Sequence, residues 1–379
     1  MLARQSRPTG KRRMNQTQVA ALIRPAVFNM QPYTPIVPFE VLSRQLGMPA
    51  GQIIKVDANE NPYGPSPQVA EAISRYPYHH IYPDPNHTVL REALEGYVGV
   101  SRAHLLLGAG ADELLDLVFR LFIEPGDAIV NCPPTFGMYP FLASVAGARI
   151  ISAPRQDDFS LDIEGIEAVF AREPRPPKLI FVTSPNNPDG GVLSRGDLLR
   201  LLDLPAVVVA DQAYVEFGGE DFVPLVPQRP NLIVMRTFSK WAGLAGLRVG
   251  YGVFPAGMIA HLFKIKQPYN VNAAAQAAVL ASLDDLELLQ ARVQTLIGER
   301  QRLYRGLQQI AYLRPYPSRA NFILNRVLGR EASALKAALQ AQGILVRHYR
   351  TPELQDCIRI SVGKPEQNTR VLAALASLA

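Results

Sequence analysis

The stretch that decides the fold of this chain is KLIFVTSPNNPDGGVLSRGDLLRLLDLPAVVVADQAY, residues 178–214. It contains two short apolar runs, LIFVT and AVVVA, with the helical pattern LSRGDLLRLLD between them. Continuous apolar runs are typical of strands buried on both faces, and a helix between two of them predicts a parallel pair. Asn187 and Asp211 follow the two runs, at the edge of an open α/β sheet where ligands bind.

The same alternation continues on both sides of this stretch. LLLG, AIVN, RIIS and LIVMRT are further apolar runs, and DELLDLVFRLFI and IEGIEAVFAREP are helical patterns between them. The sequence therefore predicts an α/β fold, with a mostly parallel sheet wrapped by helices in a large domain over residues 51–274. We interpret residues 1–14 as a basic leader and residues 15–50 as an N-terminal arm that covers part of the domains.

The pattern changes after Pro268. Leucines at three- to four-residue spacing between Leu286 and Leu307 predict a long amphipathic helix that bridges two domains. NFILNRV, GILVRHY and CIRISVG then predict three strands. We therefore expect a smaller α+β domain over residues 275–379.

Composition excludes several classes of protein. The chain has 379 residues, 48% hydrophobic and 19% charged, which is typical of a globular protein. No apolar run approaches the ~20 residues of a membrane span. Cys132 and Cys357 are its two cysteines, which excludes a disulfide framework or a CxxC metal site and predicts reduced thiols in the cytoplasm. We expect no metal.

The first 39 residues contain basic but no acidic side chains. Three interpretations stay open: a transit peptide, a disordered leader, or a start codon placed too early, with Met14 as the initiator. Because this leader carries much of the net charge of +6, we do not interpret that charge as a nucleic-acid surface.

The stretch TFSKWAGLAGLRVGYG, residues 237–252, points to the chemistry. Lys240 follows a strand among small and hydroxyl residues, with Arg248 nearby, which suits an amine beside a phosphate; the alternative at this stage is a surface lysine at a strand end. In LLLGAGADELL, glycines precede a helix whose first turn contains Asp112, and such helix N-termini favour anions. The third glycine of a dinucleotide fingerprint is missing, since residue 113 is glutamate.

Six segments in order resemble one family. DANENPYGPSP, CPPTFGMY, SPNNPDG, ADQAY, TFSKWAGLAGLRVGY and IRISVG are similar to motifs of the fold-type I pyridoxal-phosphate (PLP) enzymes, in the histidinol-phosphate aminotransferase branch. The resemblance runs from about Tyr33 to Val362. It implies a PLP-dependent aminotransferase of histidine biosynthesis that uses 2-oxoglutarate and forms a homodimer.

The resemblance also implies a role for each matching residue. Lys240 is the lysine that binds PLP as a Schiff base and shuttles a proton. Asp211 faces the pyridine nitrogen, while Tyr214 and Asn187 donate to the phenolic oxygen. The ring-stacking position is Phe136, where the family often has tyrosine. The implied phosphate contacts are Ala111, Asp112, Thr237, Ser239, Arg248 and, from the other subunit, Tyr82.

The implied substrate contacts are Arg359, Arg347, Tyr33, Tyr269 and Asn187. Arg359 matches the arginine that binds the α-carboxylate, and Arg347 the one near a distal phosphate. Gln212 stands where the family usually has glutamate, a change next to Asp211 whose effect the sequence does not predict. The rival functions are aromatic aminotransferase, threonine-phosphate decarboxylase and, in a different class, a PLP-binding regulator. That last class carries a DNA-binding module before the aminotransferase region, and we expect none within the thirty or so residues before Tyr33.

Overall fold

The computed structural model describes residues 14–30 and 38–378, and its strands form two sheets. In chain order the strands are β1 Ile54–Val56, β2 Leu105–Gly108, β3 Ala128–Asn131, β4 Arg149–Ser152, β5 Leu179–Thr183, β6 Val207–Asp211, β7 Leu232–Thr237, β8 Gly250–Val253, β9 Leu313–Pro315, β10 Phe322–Val327, β11 Ile344–His348 and β12 Cys357–Ser361. Each apolar run of the sequence is one of these strands.

Over the described ranges the larger sheet has seven strands, in the order β2-β8-β7-β6-β5-β3-β4. The strands from β3 to β7 run parallel to their neighbours, whereas β8 runs antiparallel to both β7 and β2. The predicted α/β fold with a mostly parallel sheet is therefore confirmed. β8 was not predicted as a strand, because two of its four residues are glycines, which weaken a strand pattern.

Helices cover this sheet and surround the smaller one. In chain order they are α1 Gln16–Ala20, α2 Pro25–Phe28, α3 Phe39–Leu46, α4 Pro67–Arg75, α5 Thr88–Val98, α6 Ala111–Phe122, α7 Met138–Ala146, α8 Ile163–Arg172, α9 Arg195–Leu202, α10 Ala256–Ile265, α11 Ala273–Asp284, α12 Leu286–Gln308, α13 Ala332–Ala341 and α14 Pro365–Ser377. None of these helices is both long and apolar enough to cross a membrane.

The core of the larger sheet lies on both of its faces. Along β5, Ile180 and Val182 belong to one hydrophobic cluster, while Leu179 and Phe181 belong to another. Successive strand residues point to opposite faces, so a continuous apolar run fills both layers. Polar side chains are therefore expected only after the apolar run has ended, at the edge of the sheet.

The smaller sheet has the order β1-β11-β12-β10-β9 among the described strands. β1 pairs parallel with β11, and the other strands pair antiparallel. β1 thus lies in the second sheet, although it falls within the predicted large domain. The predicted domain boundaries otherwise stay a prediction.

Helix α12 connects the two cores. Leu289 and Val293 near its start pack in the core of the larger sheet, and Leu303 and Leu307 pack in that of the smaller one. The bridging helix predicted from its leucine spacing is therefore present. Cys132 and Cys357 are buried and unpaired, and burial raises the pKa of both thiols to about 12.

Candidate active site

Three parallel neighbours of the larger sheet end beside one cavity. β5 ends at Thr183, β6 at Asp211 and β7 at Thr237. Helix α6 begins beside them at Ala111, so close that a Cβ on Gly250 of β8 would lie 2.7 Å from the Ala111 nitrogen. Together they enclose about 350 Å³ at the carboxyl edge of the sheet, where ligands bind in this architecture.

Most of the predicted site residues line this cavity: Ala111, Asp112, Phe136, Asn187, Asp211, Tyr214, Thr237, Ser239, Lys240 and Arg248. Four others that the structure describes do not line it: Tyr82, Tyr269, Arg347 and Arg359. Tyr33 lies outside the described residues. The cavity also contains residues without a predicted role, among them Ala58, Glu60 and Thr183.

Lys240 follows the end of β7 and projects into the cavity. Its Nζ donates to the carbonyl oxygen of Ala58 at 3.5 Å and lies 5.8 Å from the centre of the Tyr214 ring. Burial, together with the Arg359 guanidinium, lowers the pKa of Lys240 to about 8. At pH 7 roughly one molecule in ten then carries the neutral amine, which is the nucleophilic form. The sequence alternative, an ordinary surface lysine, does not fit this position.

Asp211 is buried at the end of β6. One carboxylate oxygen accepts from the Tyr139 hydroxyl at 2.7 Å, and the other accepts from the backbone N–H of Ala213 at 3.0 Å. Burial raises the pKa of Asp211 to about 6, and the bond from Tyr139 opposes that rise. Tyr139 was not predicted as a site residue, although it lies in the CPPTFGMY segment three residues after Phe136, and the two rings are in edge contact with centres 5.7 Å apart.

Tyr214 is positioned by a residue that the sequence did not single out. Asn59 Nδ2 donates to the Tyr214 hydroxyl at 3.0 Å. Asn59 is itself buried with a left-handed backbone, φ 56°, and exchanges hydrogen bonds with the Ser361 hydroxyl on β12. Asparagine is among the few residues that tolerate this conformation, and its short amide satisfies the buried partners. Asn59 thus joins the cavity to the second sheet.

A second group of residues that line the cavity can bind an anion. No side chain caps the N-terminus of α6, so its first backbone N–H groups remain free to bind a ligand. Gly110 precedes it at φ 79°, where a Cβ would collide with the Arg248 guanidinium. The Thr237 hydroxyl donates a hydrogen bond to the Ser239 hydroxyl at 2.9 Å, and Arg248 forms an ion pair with Asp112 at 2.9 Å.

Arg359 on β12 does not line the cavity but contacts Asn187, which does. Its Nη1 donates to the Asn187 side-chain oxygen at 2.5 Å, and Nη2 donates to the Asp57 carbonyl oxygen at 2.8 Å. Nε is buried with no hydrogen-bond partner among residues 14–30 and 38–378. Arg347 stands directly opposite Arg359 in the β11–β12 pair, so both side chains lie on one face of the sheet.

Tyr82 and Tyr269 form a separate exposed patch. Their rings stack with centres 4.4 Å apart, and Tyr82 is 78% exposed. Neither ring lines the cavity of its own chain. The structure therefore brings these two predicted residues together, but apart from the others.

Gln212 has a structural position next to Asp211. Its Oε1 accepts from Arg236 Nη2 at 3.0 Å, and its Nε2 donates to the carbonyl oxygen of Glu220 at 2.5 Å. The Arg236 charge is balanced by Asp221, at 2.5 Å. A neutral glutamine is therefore accommodated where the family usually has glutamate.

The donors and acceptors along the cavity fit PLP. A buried carboxylate suits a protonated ring nitrogen, a phenol and an amide suit the ring oxygen, and a neutral amine suits an aldehyde. The uncapped helix end and paired hydroxyls suit a phosphate dianion. All of these groups line one cavity, as a single molecule with both a ring nitrogen and a phosphate requires.

Comparisons with known proteins agree with this geometry. The model of the aminotransferase class I and II family matches residues 51–375. The histidinol-phosphate aminotransferase of Roseiflexus castenholzii is 48% identical over 95% of this chain and 99% of its own length. The chloroplastic histidinol-phosphate aminotransferase of Nicotiana plumbaginifolia is 50% identical over 94% of this chain and 86% of its own.

Solved structures show the same fold. The histidinol-phosphate aminotransferase of Sinorhizobium meliloti in complex with pyridoxal-5'-phosphate has a TM-score of 0.85, at 31% identity, covering 95% of this chain and 99% of that one. L-threonine-O-3-phosphate decarboxylase of Porphyromonas gingivalis has a TM-score of 0.74 at 22% identity, covering 86% of this chain and 99% of that one, which shows the fold alone.

Proposed function

The chain belongs to the histidinol-phosphate aminotransferase family of class I and II aminotransferases, and from that premise we propose that it transfers the amino group of L-histidinol phosphate to 2-oxoglutarate. The products are imidazole-acetol phosphate and L-glutamate. The cofactor is PLP. The histidinol-phosphate aminotransferase of Sinorhizobium meliloti, 31% identical to this chain, is in complex with it, and the cavity has the matching donors and acceptors.

The cofactor would be held along the cavity. Asp211 would pair with the ring nitrogen, with Tyr139 fixing the carboxylate from behind. Phe136 would cover one face of the ring. The phosphate contacts would be the first amides of α6, the hydroxyls of Thr237 and Ser239, and Arg248. When bound, PLP supplies an electron-withdrawing ring that accepts the electron pair released from the substrate carbon.

The chain's own residues then control the protons. The pKa of Lys240 is lowered to about 8, so that its Nζ can be neutral. This neutral Nζ takes the proton from the substrate Cα and delivers it to the carbon that was the cofactor aldehyde. Asp211 keeps the ring nitrogen protonated, and its burial makes that ion pair strong. Tyr214, held by Asn59, donates to the ring oxygen. Arg359 binds the carboxylate of glutamate or 2-oxoglutarate.

The observation that carries the choice of substrate is the arginine pair on β11 and β12. Arg359 is engaged with Asn187 at the cavity, whereas Arg347, directly opposite, has no carboxylate partner among the described residues. Such a pair suits a site that must bind a carboxylate and, farther out, a phosphate. An aromatic amino acid has no group that would use Arg347. Tyr33 would close over this end, and Tyr269, which stacks on Tyr82 outside the cavity of its own chain, would do so from a second subunit.

We further propose a homodimer that works in the cytoplasm. By its position in the family motif, Tyr82 is expected to contact the cofactor phosphate, but it is exposed and lies outside the cavity of its own chain. It would therefore contribute to the cavity of a second subunit. The exposed patch with Tyr269 would then be covered in the dimer.

The test is steady-state turnover with 2-oxoglutarate as acceptor. We expect kcat/KM for L-histidinol phosphate to exceed that for phenylalanine by on the order of 10²-fold, because only the former has the phosphate. No carbon dioxide should be released from threonine phosphate. Comparable values for histidinol phosphate and phenylalanine would support the aromatic aminotransferase instead, and decarboxylation would support the third candidate.

A further inference from the structure

A second cavity, of about 430 Å³, lies between the C-terminal half of α12 and the loop before β10. Its lining includes six polar side chains: Arg300, Gln301, Tyr304, Arg305, Ser318 and Arg319. Each can donate a hydrogen bond, and none is a carboxylate. We name it the arginine cavity. A lining of donors with three positive charges is complementary to an anion.

Arg300 is the buried member of this group. It is 6% exposed, and its Nη1 donates to the carbonyl oxygens of Phe217 at 2.9 Å and Ala320 at 2.8 Å. No carboxylate pairs with it anywhere in residues 14–30 and 38–378. A buried charge without a counter-ion is costly, and the nearby Arg319 adds repulsion, so burial and Arg319 together lower the pKa of Arg300 to about 10. A bound anion would remove both penalties.

Arg305 and Arg319 stand exposed at the mouth of the cavity. In the part of the chain that the structure describes, neither side chain has a hydrogen bond or ion pair, whereas many exposed arginines of this protein do pair with acids. Examples are Arg102 with Glu92, Arg195 with Glu220 and Arg200 with Glu167. The two guanidinium groups at the mouth are therefore available to a ligand from solution.

We infer that the arginine cavity is a second, non-catalytic site that binds a phosphate-type oxyanion. Three guanidinium groups and two hydroxyls offer more donors and more positive charge than a carboxylate, with one negative charge and about four acceptor positions, can use, whereas a phosphate has more oxygen acceptors and a larger negative charge. Arg300 forms the floor of the site, and Arg305 and Arg319 close on the anion from its open side.

The site adjoins the active-site loop from behind. The backbone N–H of Arg319 donates to the carbonyl oxygen of Gly190 at 2.8 Å, in the loop that carries Asn187. Ser318 packs so closely against Gly190 that a Cβ there would collide with its hydroxyl. A bound anion would therefore stabilise the loop on which Asn187 lies, which distinguishes this site from a patch of surface charge.

The test is equilibrium dialysis of the PLP-loaded enzyme with labelled inorganic phosphate. The test variant is Arg305→Gln/Arg319→Gln, which leaves Arg300 in place. The matched control is Arg314→Gln/Arg370→Gln, which removes two exposed arginines that do not line the cavity. The cofactor fills its own phosphate site, and neither double variant alters the substrate site proposed beside Arg347. We therefore expect the test variant to bind phosphate at least about tenfold more weakly at one further site per subunit, with the control unchanged.

The same dialysis identifies the source of the phosphoryl group. Displacement by glycerol 3-phosphate of the label that the control binds in excess of the test variant assigns the site to phosphorylated small molecules, and lack of displacement assigns it to the free ion. Equal phosphate binding by the two double variants would overturn the inference, whatever the activity of the enzyme on histidinol phosphate.

Discussion

Removing the Tyr139 hydroxyl should change how the enzyme's affinity for PLP depends on pH. Tyr139 donates to Asp211 at 2.7 Å, and that bond favours the ionised carboxylate against the effect of burial. A hydrogen bond to a charged group contributes about 1.5–3 kcal/mol. At about 1.4 kcal/mol for each pH unit, Tyr139→Phe should raise the pKa of Asp211 from about 6 by about one to two.

The sign follows from which form of Asp211 binds. Ionised Asp211 pairs with the ring nitrogen, so affinity is lost as the pH falls through the pKa of Asp211 in the cofactor-free protein. The variant begins to lose affinity at a higher pH than the wild type. The ratio of the two dissociation constants, variant over wild type, should be near one at pH 9 and roughly 8- to 80-fold at pH 5.5.

The assay is spectroscopic titration of cofactor-free protein with PLP from pH 5.5 to 9. Taking the ratio cancels the ionisation of PLP itself, which is common to both proteins. Tyr312→Phe is the control, since it removes a buried tyrosine hydroxyl, bonded to the Leu375 carbonyl oxygen, away from the cavity. A Tyr139→Phe ratio that stays constant with pH would refute the reasoning, because the lost hydroxyl would then not act through ionisation of Asp211.

Three further predictions address the remaining roles. Borohydride reduction of the PLP-loaded enzyme should fix the cofactor on the peptide of Lys240, and mass spectrometry that finds it on Lys264 instead would exclude Lys240 as the binding lysine. Arg347→Ala should raise KM for histidinol phosphate far more than for phenylalanine, since only the former loses a charge-assisted contact; equal losses in steady-state assays would mean that Arg347 binds no phosphate. Refolding equal amounts of Lys240→Ala and Tyr82→Ala chains together should restore activity to roughly a quarter of wild type, because half of the dimers then contain one intact shared site. No recovery in verified heterodimers would show that Tyr82 serves its own chain.

The strands of the larger sheet could be predicted because they are buried on both faces. A run such as LIFVT has no polar alternative, and the residues just after it, Asn187 and Asp211, must then lie at the sheet edge. The strand β8 could not be predicted in this way. Its Gly250 allows the close approach of the start of α6, a contact with a distant element that no local pattern contains.

The residues missed at the site act through other side chains. Tyr139 contacts Asp211, and Asn59 contacts Tyr214, so each depends on where a different element packs. Tyr139 and Asn59 each lie in a segment that resembles the family, CPPTFGMY and DANENPYGPSP, but no local pattern requires the left-handed backbone of Asn59. The roles of Arg347, Tyr82 and Tyr269 stay predictions.

The position of β1 bears on how the chain folds as it is synthesised. β1 pairs with β11, whose Ile344 follows Ile54 by about 290 residues. At about 5–20 residues per second, translation takes roughly 15–60 s to reach the partner strand. The larger sheet can assemble in that interval, while β1 leaves the ribosome with an open edge, a form prone to pairing with other chains. A chaperone that binds nascent chains would therefore be most useful between the completion of β8 and the appearance of β11.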